Sequence, residues 1–353
     1  TPSVSSAASD VYKRQYIYKG GNMSILRLFT ALFLALGVTS ISSTAKAGDC
    51  DNVTIAEMNW ASAQVIAHID AVLLRGLGCE VELIPGDTMP TATSLVEKGE
   101  PSIAPELWSQ NIKPILDPAE AEGLIKNVGK VFEDGGEEAI WIPTYIAQEH
   151  GIVTIDDALA RPDLFPHPED SSVAGFYGCP AGWNCQITTT QMFKAFGMAD
   201  AGFEFIDPGS GGALSGAMGE AYNKGEGWMG YYWGPTAILG KYDMTKLDEG
   251  VDHNSETWLS EINDLNVEAP GRNKYPASTV ETYVGKDMLG NAEVMGYLEK
   301  RSFNNTLLSQ ILAWKEENQA EAEETAYYFL ENFSGVWGEW VPFDQKLDIQ
   351  NSL

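Results

Sequence analysis

Apolar and polar positions along the chain switch repeatedly between strand-like and helix-like spacing. Val53-Thr54-Ile55-Ala56-Glu57-Met58 is strand-like. The run from Ser62 to Leu77 follows it, with Val65, Ile66, Ile69, Val72 and Leu73 recurring at helical intervals. Glu80 to Ile84 then predicts a strand, Thr91 to Lys98 a short helix, and Ser102-Ile103-Ala104-Pro105 a further strand. Such alternation predicts an α/β protein built on parallel sheets. A strand over Ile142 to Gln148 leads into a helix at Asp156-Asp157-Ala158-Leu159. A glycine-rich turn at Gly209-Ser210-Gly211-Gly212 and an aromatic run from Trp228 to Trp233 follow. The chain turns through Pro270 to Pro276 and ends in helices, with Leu307, Leu308, Ile311, Leu312 and Trp314 as a buried stripe and the acidic Glu316 to Glu324 as an exposed helix face. A middle domain inserted into a first domain predicts two lobes with a cleft between them: lobe 1 from 48–145 plus 266–353, lobe 2 from 146–265. Clefts between α/β lobes are common sites for small ligands.

The N-terminal pattern is different. Arg27 precedes an apolar run from Leu28 to Val38, and Ala45-Lys46-Ala47 supplies a small-x-small cleavage site, which together predict a cleavable secretory signal over 23–47. The apolar run is too short to span a bilayer. Residues 1–22 stand upstream of that signal without a start methionine, as a gene-calling artefact would. Cys50 lies two residues beyond Gly48, the first residue expected after cleavage, which disfavours a lipid anchor at the cut. Beyond residue 47 the chain has 306 residues, 17 of them basic and 49 acidic, for a net charge of −32. A surface of that charge repels nucleic acid and anionic lipid and keeps an exported protein in solution.

Export makes the four cysteines readable as two disulfides, with three pairings formally open. Cys179 with Cys185 is the local pair. Cys50 and Cys79 each stand just before a strand-like run, and two parallel strands that start side by side would bring them together. A zinc site is the weaker alternative, because paired CxxC spacing is missing.

Candidate chemistry centres on tryptophan. Of the 10 in the chain, Trp60, Trp108, Trp183 and Trp233 stand at or just past strand-like runs or in the Cys179–Cys185 loop, where α/β folds bind ligands. Trp141, Trp228, Trp258, Trp314, Trp337 and Trp340 are expected to fill cores. Tryptophan faces attract methylated cations by roughly 0.5–2 kcal/mol per ring when desolvated. A helix opening at Cys185 would aim the backbone N–H groups of Asn184 and Cys185 at a carboxylate beside Trp183. An ordinary capped helix start explains Asn184 equally well. The histidines lack metal-ligand spacing, the glycine-rich turn does not match a phosphate-binding fingerprint, and no nucleophile–base set is evident, so neither a metal nor a cofactor nor an enzymatic reaction is expected.

Gly178-Cys179-Pro180-Ala181-Gly182-Trp183-Asn184-Cys185 resembles the disulfide loop found in one branch of the periplasmic substrate-binding proteins of glycine betaine/proline betaine ABC transporters. Tyr231-Tyr232-Trp233-Gly234-Pro235, Ala104-Pro105-Glu106-Leu107-Trp108, Asn59-Trp60 and the Ala326 to Pro342 region are similar to further segments of that family, so the likeness runs over about residues 50–345. Two departures stand in the loop: Pro180 follows Cys179 directly, and Asn184 replaces a glycine. The resemblance implies a two-lobed periplasmic binding protein fold of type II, with a zwitterionic quaternary ammonium or sulfonium ligand in the interlobe cleft. The ligands it implies are glycine betaine, proline betaine or dimethylsulfoniopropionate. It further implies a cage of Trp108, Trp183 and Trp233, with Trp60 as a fourth wall, Tyr145 as an additional candidate, and Asn184 and Cys185 as anion donors. Delivery by a monomer to the permease subunits of an ABC importer is the expected role. A secreted enzyme acting on a methylated amine or sulfonium, or a sensor for the same ligand, is the alternative.

Overall fold

The computed structural model describes Cys50 and residues 52–353. The signal expected over 23–47 and the segment 1–22 lie outside the described residues. The chain opens as β1 (Val53–Met58), α1 (Ala61–Gly76), β2 (Val81–Gly86), α2 (Thr88–Lys98), β3 (Ile103–Trp108), α3 (Lys113–Ala121) and β4 (Ile125–Lys130). It continues as β5 (Glu137–Pro143), α4 (Thr144–His150), α5 (Ile155–Leu159), β6 (Ala174–Tyr177), α6 (Cys185–Ala195), β7 (Phe203–Ile206), α7 (Gly211–Lys224), β8 (Gly230–Gly234), α8 (Ala237–Lys241), β9 (Met244–Lys246) and α9 (Ser255–Thr257). It closes with β10 (Val280–Gly285), α10 (Ala292–Leu298), α11 (Asn305–Asn318), α12 (Ala322–Asn332), α13 (Ser334–Trp337) and α14 (Phe343–Ser352).

Two five-stranded mixed sheets result, ordered β2-β1-β3-β10-β4 and β7-β6-β8-β5-β9. In each, parallel strands joined through helices form one side, and antiparallel strands complete the other. Parallel strands are covered by helices on their faces, which is why β1 buries Val53, Ile55, Ala56 and Met58. The helical stripe of α1 likewise buries Val65, Ile66, Ile69 and Leu73. Both expected cysteine pairs are bonded, Cys50 to Cys79 and Cys179 to Cys185. The first ties the entry of β1 to the entry of its parallel neighbour β2, where Val53 pairs with Val81.

Several expectations need correction. Glu137–Pro143 belongs to the second sheet, so the chain crosses between sheets at 131–136, ahead of the boundary expected after Tyr145. It returns just before Val280 rather than at 266. The two crossings run side by side: Gly136 N–H donates to the Ser278 carbonyl at 2.9 Å, and Val131 N–H to the Val280 carbonyl at 3.0 Å. The strand expected over 142–148 ends at Pro143, and Thr144–His150 is helix. The acidic run 316–324 is broken, because Gln319 adopts a left-handed conformation and Glu321 with Glu324 forms a capping box that starts α12.

Beneath β3 lies a fully buried ion pair. Arg301 donates to Asp70 of α1 at 3.1 Å and to the Thr282 hydroxyl of β10 at 2.9 Å. The Tyr297 hydroxyl also donates to Asp70, at 2.5 Å. Thr282 in turn donates to the Pro105 carbonyl at 2.9 Å. Removing one partner of such a pair costs about 3–5 kcal/mol, since it leaves a charge buried alone. The network clamps the strand that ends in Trp108.

Candidate functional site

Trp60 stands at the entry of α1, directly beyond β1, and Trp108 is the last residue of the neighbouring β3. Both indole N–H groups donate to one oxygen of Glu106, Oε1, at 2.6 Å from Trp60 and 3.1 Å from Trp108, and the Ser62 hydroxyl adds a third donor at 3.0 Å. Glu106 is fully buried and its Oε2 has no partner among the described residues. Burial pushes its carboxyl up to about 7, against the lowering effect of these three bonds and of the Arg301 charge.

The opposite wall comes from the second lobe. Trp183 sits in the loop closed by Cys179 and Cys185. Its ring meets Trp60 edge-to-face at 5.1 Å between centroids and Trp233 of β8 at 5.1 Å. Its indole N–H donates to Asn59 Oδ1, on the first lobe. Met89 N–H, in the first turn of α2, reaches the Gly182 carbonyl at 3.4 Å. Two glycines permit this seating. Gly182 has φ +88° and lies so close to Asp87 that a Cβ would come within 2.9 Å of its carboxylate, and a Cβ on Gly211 would stand 2.7 Å from the Trp183 ring.

These walls line a narrow pocket formed by Trp60, Trp108, Trp183 and Trp233 together with Thr88, Glu138, Asn184, Cys185 and Tyr231. The lining carries a carboxylate as well as a helix start. Glu138, nearly buried, accepts from the Tyr231 hydroxyl at 2.9 Å and the Ser278 hydroxyl at 2.7 Å, and burial pushes its carboxyl up. α6 begins just past Trp183. Gln186 and Ile187 N–H groups bond back to the Trp183 and Asn184 carbonyls, and the N–H groups of Asn184 and Cys185 have no backbone acceptor among the described residues. No side chain caps this helix start. Asn184 is buried, and its Oδ1 has no partner among the described residues. Free N–H groups and the positive end of the helix dipole favour an anion, and the ring faces with the buried carboxylate favour a cation.

Trp60, Trp108, Trp183, Trp233, Asn184 and Cys185 are thus brought together. Tyr145 is not. Its hydroxyl donates to the Glu226 carbonyl at 2.6 Å and its ring packs on Tyr222. The reason is strand direction. β5 runs antiparallel to β8, with Glu138 opposite Trp233, so the start of β5 faces the cavity and Tyr145, past its end, lies at the far side. Glu106, Glu138, Thr88, Tyr231 and Asn59 escaped sequence reasoning. Glu106 was within reach: two residues before Trp108 in a strand, it shares that side chain's face.

Residues 51–332 match the profile of OpuAC, the substrate-binding domain of ABC-type glycine betaine transport systems. Among solved structures, a glycine betaine, L-proline ABC transporter binding protein from Borrelia burgdorferi is 16% identical, with a TM-score of 0.67 over 84% of this chain and 99% of that one. An ABC-transporter choline-binding protein in complex with choline is 17% identical, with a TM-score of 0.67 over 86% and 98%. The lactococcal OpuAC, closed on glycine betaine, is 16% identical, with a TM-score of 0.60 over 83% and 100%. An uncharacterised protein of Chromohalobacter salexigens is 25% identical over 136 residues, 37% of this chain and 83% of the relative. The structures share the two-lobed α/β fold of periplasmic binding proteins, and the chain belongs to the family of substrate-binding domains of ABC-type glycine betaine transport systems.

Proposed function

We propose that this chain is an exported solute-binding subunit that captures a small zwitterion with a quaternary ammonium or sulfonium head and presents it to the permease of an ABC importer. The observation that carries this is one pocket lined by four tryptophans, a buried carboxylate and the opening of α6 with its open N–H groups. Trp60, Trp108, Trp183 and Trp233 hold the head, and Asn184 and Cys185 take the carboxylate. Glycine betaine, proline betaine and dimethylsulfoniopropionate all present both ends. A trimethylammonium and a dimethylsulfonium group carry the same charge and a similar methyl shell, so ring faces discriminate weakly between them. Choline would leave the two N–H groups without a charged partner, and an unmet buried donor costs about 1–3 kcal/mol.

Closure of the two lobes follows from the same geometry. The rings come from both lobes, so one ligand bridges them and stabilises the closed arrangement through contacts that no open arrangement makes. In this reading the chain acts as a carrier, not a catalyst, and the signal expected over 23–47 supports its export to the periplasm. A thermal-shift screen of residues 48–353 against these four solutes tests the proposal. Stabilisation by the betaines or the sulfonium, and less by choline, is expected. No shift with any onium solute at millimolar concentration overturns it.

A further inference from the structure

We infer that Glu106, set behind the rings, is the positioning residue of the cage: one carboxylate oxygen gathers the indole N–H groups of Trp60 and Trp108 and so fixes the angle between two rings that arrive from different elements. The inference rests on the onium ligand proposed above for its consequence in binding, but not for its geometry.

The arrangement around Glu106 is lopsided. Oε1 takes three donors, Trp60, Trp108 and Ser62, while Oε2 takes none among the described residues. A carboxylate buried only to serve the fold would gain most by sharing its donors between both oxygens, because each unmet lone pair in a dry site is costly. Here the group is turned so that a single atom meets both indoles. Trp60 and Trp108 stand at the ends of neighbouring parallel strands, and their ring planes have separate rotatable bonds. A shared acceptor removes that independence, and a charged acceptor does so more strongly than a neutral one.

The carboxylate does a second thing. It draws the two N–H protons toward itself, which enriches the ring faces turned to the cavity and strengthens their attraction for a cation. Its own negative charge lies behind those rings. The charged groups around it are few. Arg301, from the segment after α10, reaches it electrostatically but is already paired with Asp70 of α1, and Glu138 of β5 belongs to the other lobe's wall. Glutamine at this position would keep the size of the side chain and one acceptor oxygen while losing the charge.

Indole N–H resonances of the ¹⁵N-labelled chain, residues 48–353, test the geometry without ligand. In Glu106→Gln the Trp60 and Trp108 indole protons are expected to move upfield together while the other tryptophans stay in place. Calorimetry with glycine betaine as probe is expected to show a loss of about tenfold or more in affinity. Unmoved indole resonances in a folded Glu106→Gln protein overturn the inference, as does an affinity within twofold of the wild type. Should Glu106→Gln not fold, the wild type decides. The two indole resonances are expected to titrate with one shared midpoint, and separate midpoints, or none, overturn the shared acceptor. If the wild type binds no onium solute, the ligand proposal fails while the indole resonances still judge Glu106.

Discussion

On the first lobe, Trp60 and Trp108 hang from a buried carboxylate by N–H···O bonds. On the second, Trp183 is pinned in a loop between two bonded cysteines, and Trp233 is wedged in a strand against Tyr231 and Tyr232. One wall is positioned by a charge and the other by covalent and steric constraint. The two walls are therefore expected to respond to different perturbations: the first to protonation, the second to reduction. They meet at Trp183, whose indole bonds to Asn59 of the first lobe while its edge packs on Trp60 and Trp233.

That meeting point predicts the largest effect. Trp183→Ala removes one cage face, the bond to Asn59 and two ring contacts at once, and should lower affinity for glycine betaine by about 100-fold or more. Calorimetry on the folded variant, with its far-UV dichroism unchanged, measures this. Retention of binding within tenfold would remove the ring from the cage. The next effect isolates the second wall. Replacing Cys179 and Cys185 together by serine frees the loop and should cost about 2 kcal/mol of stability for so short a closed loop. Affinity should fall by roughly tenfold through lost preorganisation. Denaturant melts and calorimetry on the double variant check both figures. The Trp60 and Trp108 indole environments should stay as they are.

The smallest effect isolates the first wall. The Glu106 carboxyl is raised from its ordinary value near 4.5 to about 7, chiefly by burial. Between those values the folded chain holds a proton that the unfolded chain has released, so this group favours folding at acid pH and loses that contribution as pH rises through about 7. A cationic ligand prefers the ionised form, so affinity should move the other way and rise severalfold between about pH 6 and pH 8. Calorimetry across that range reads it directly. A flat profile would take Glu106 out of the binding energetics. The cysteine double variant should keep the same pH slope, since its defect lies on the other wall.

Much of this arrangement was legible in the residues, for a physical reason. The ends of parallel strands in an α/β sheet face the ligand cleft, so the tryptophans at the ends of β1 and β3 could be placed without coordinates. The loop cysteines confined Trp183 by their spacing alone. Tyr145 was a candidate through the family resemblance alone, and the strand direction that sets it apart is invisible in a short apolar run. β5 is antiparallel to β8 with Glu138 opposite Trp233, so its beginning, not its end, meets the cage. Glu138 stayed hidden because a carboxylate in a strongly acidic chain looks like surface, and Glu106 was passed over for the same reason although its alternation with Trp108 in a strand put it within reach. Only coordinates show that indole, phenol and serine donors surround them. The seating of Trp183 against Gly211 was hidden for another reason, since a glycine-rich turn reads first as a tight bend.

The central claim is that the cage reads positive charge rather than shape. The most direct measurement is a calorimetric titration of residues 48–353 with glycine betaine and with 3,3-dimethylbutanoate, in which a carbon replaces the ammonium nitrogen and all else is kept. Four desolvated rings at about 0.5–2 kcal/mol each predict that glycine betaine binds at least about 30-fold more tightly than its uncharged-head isostere. Equal affinity for the two would contradict the cage and leave only an apolar pocket beside a carboxylate site.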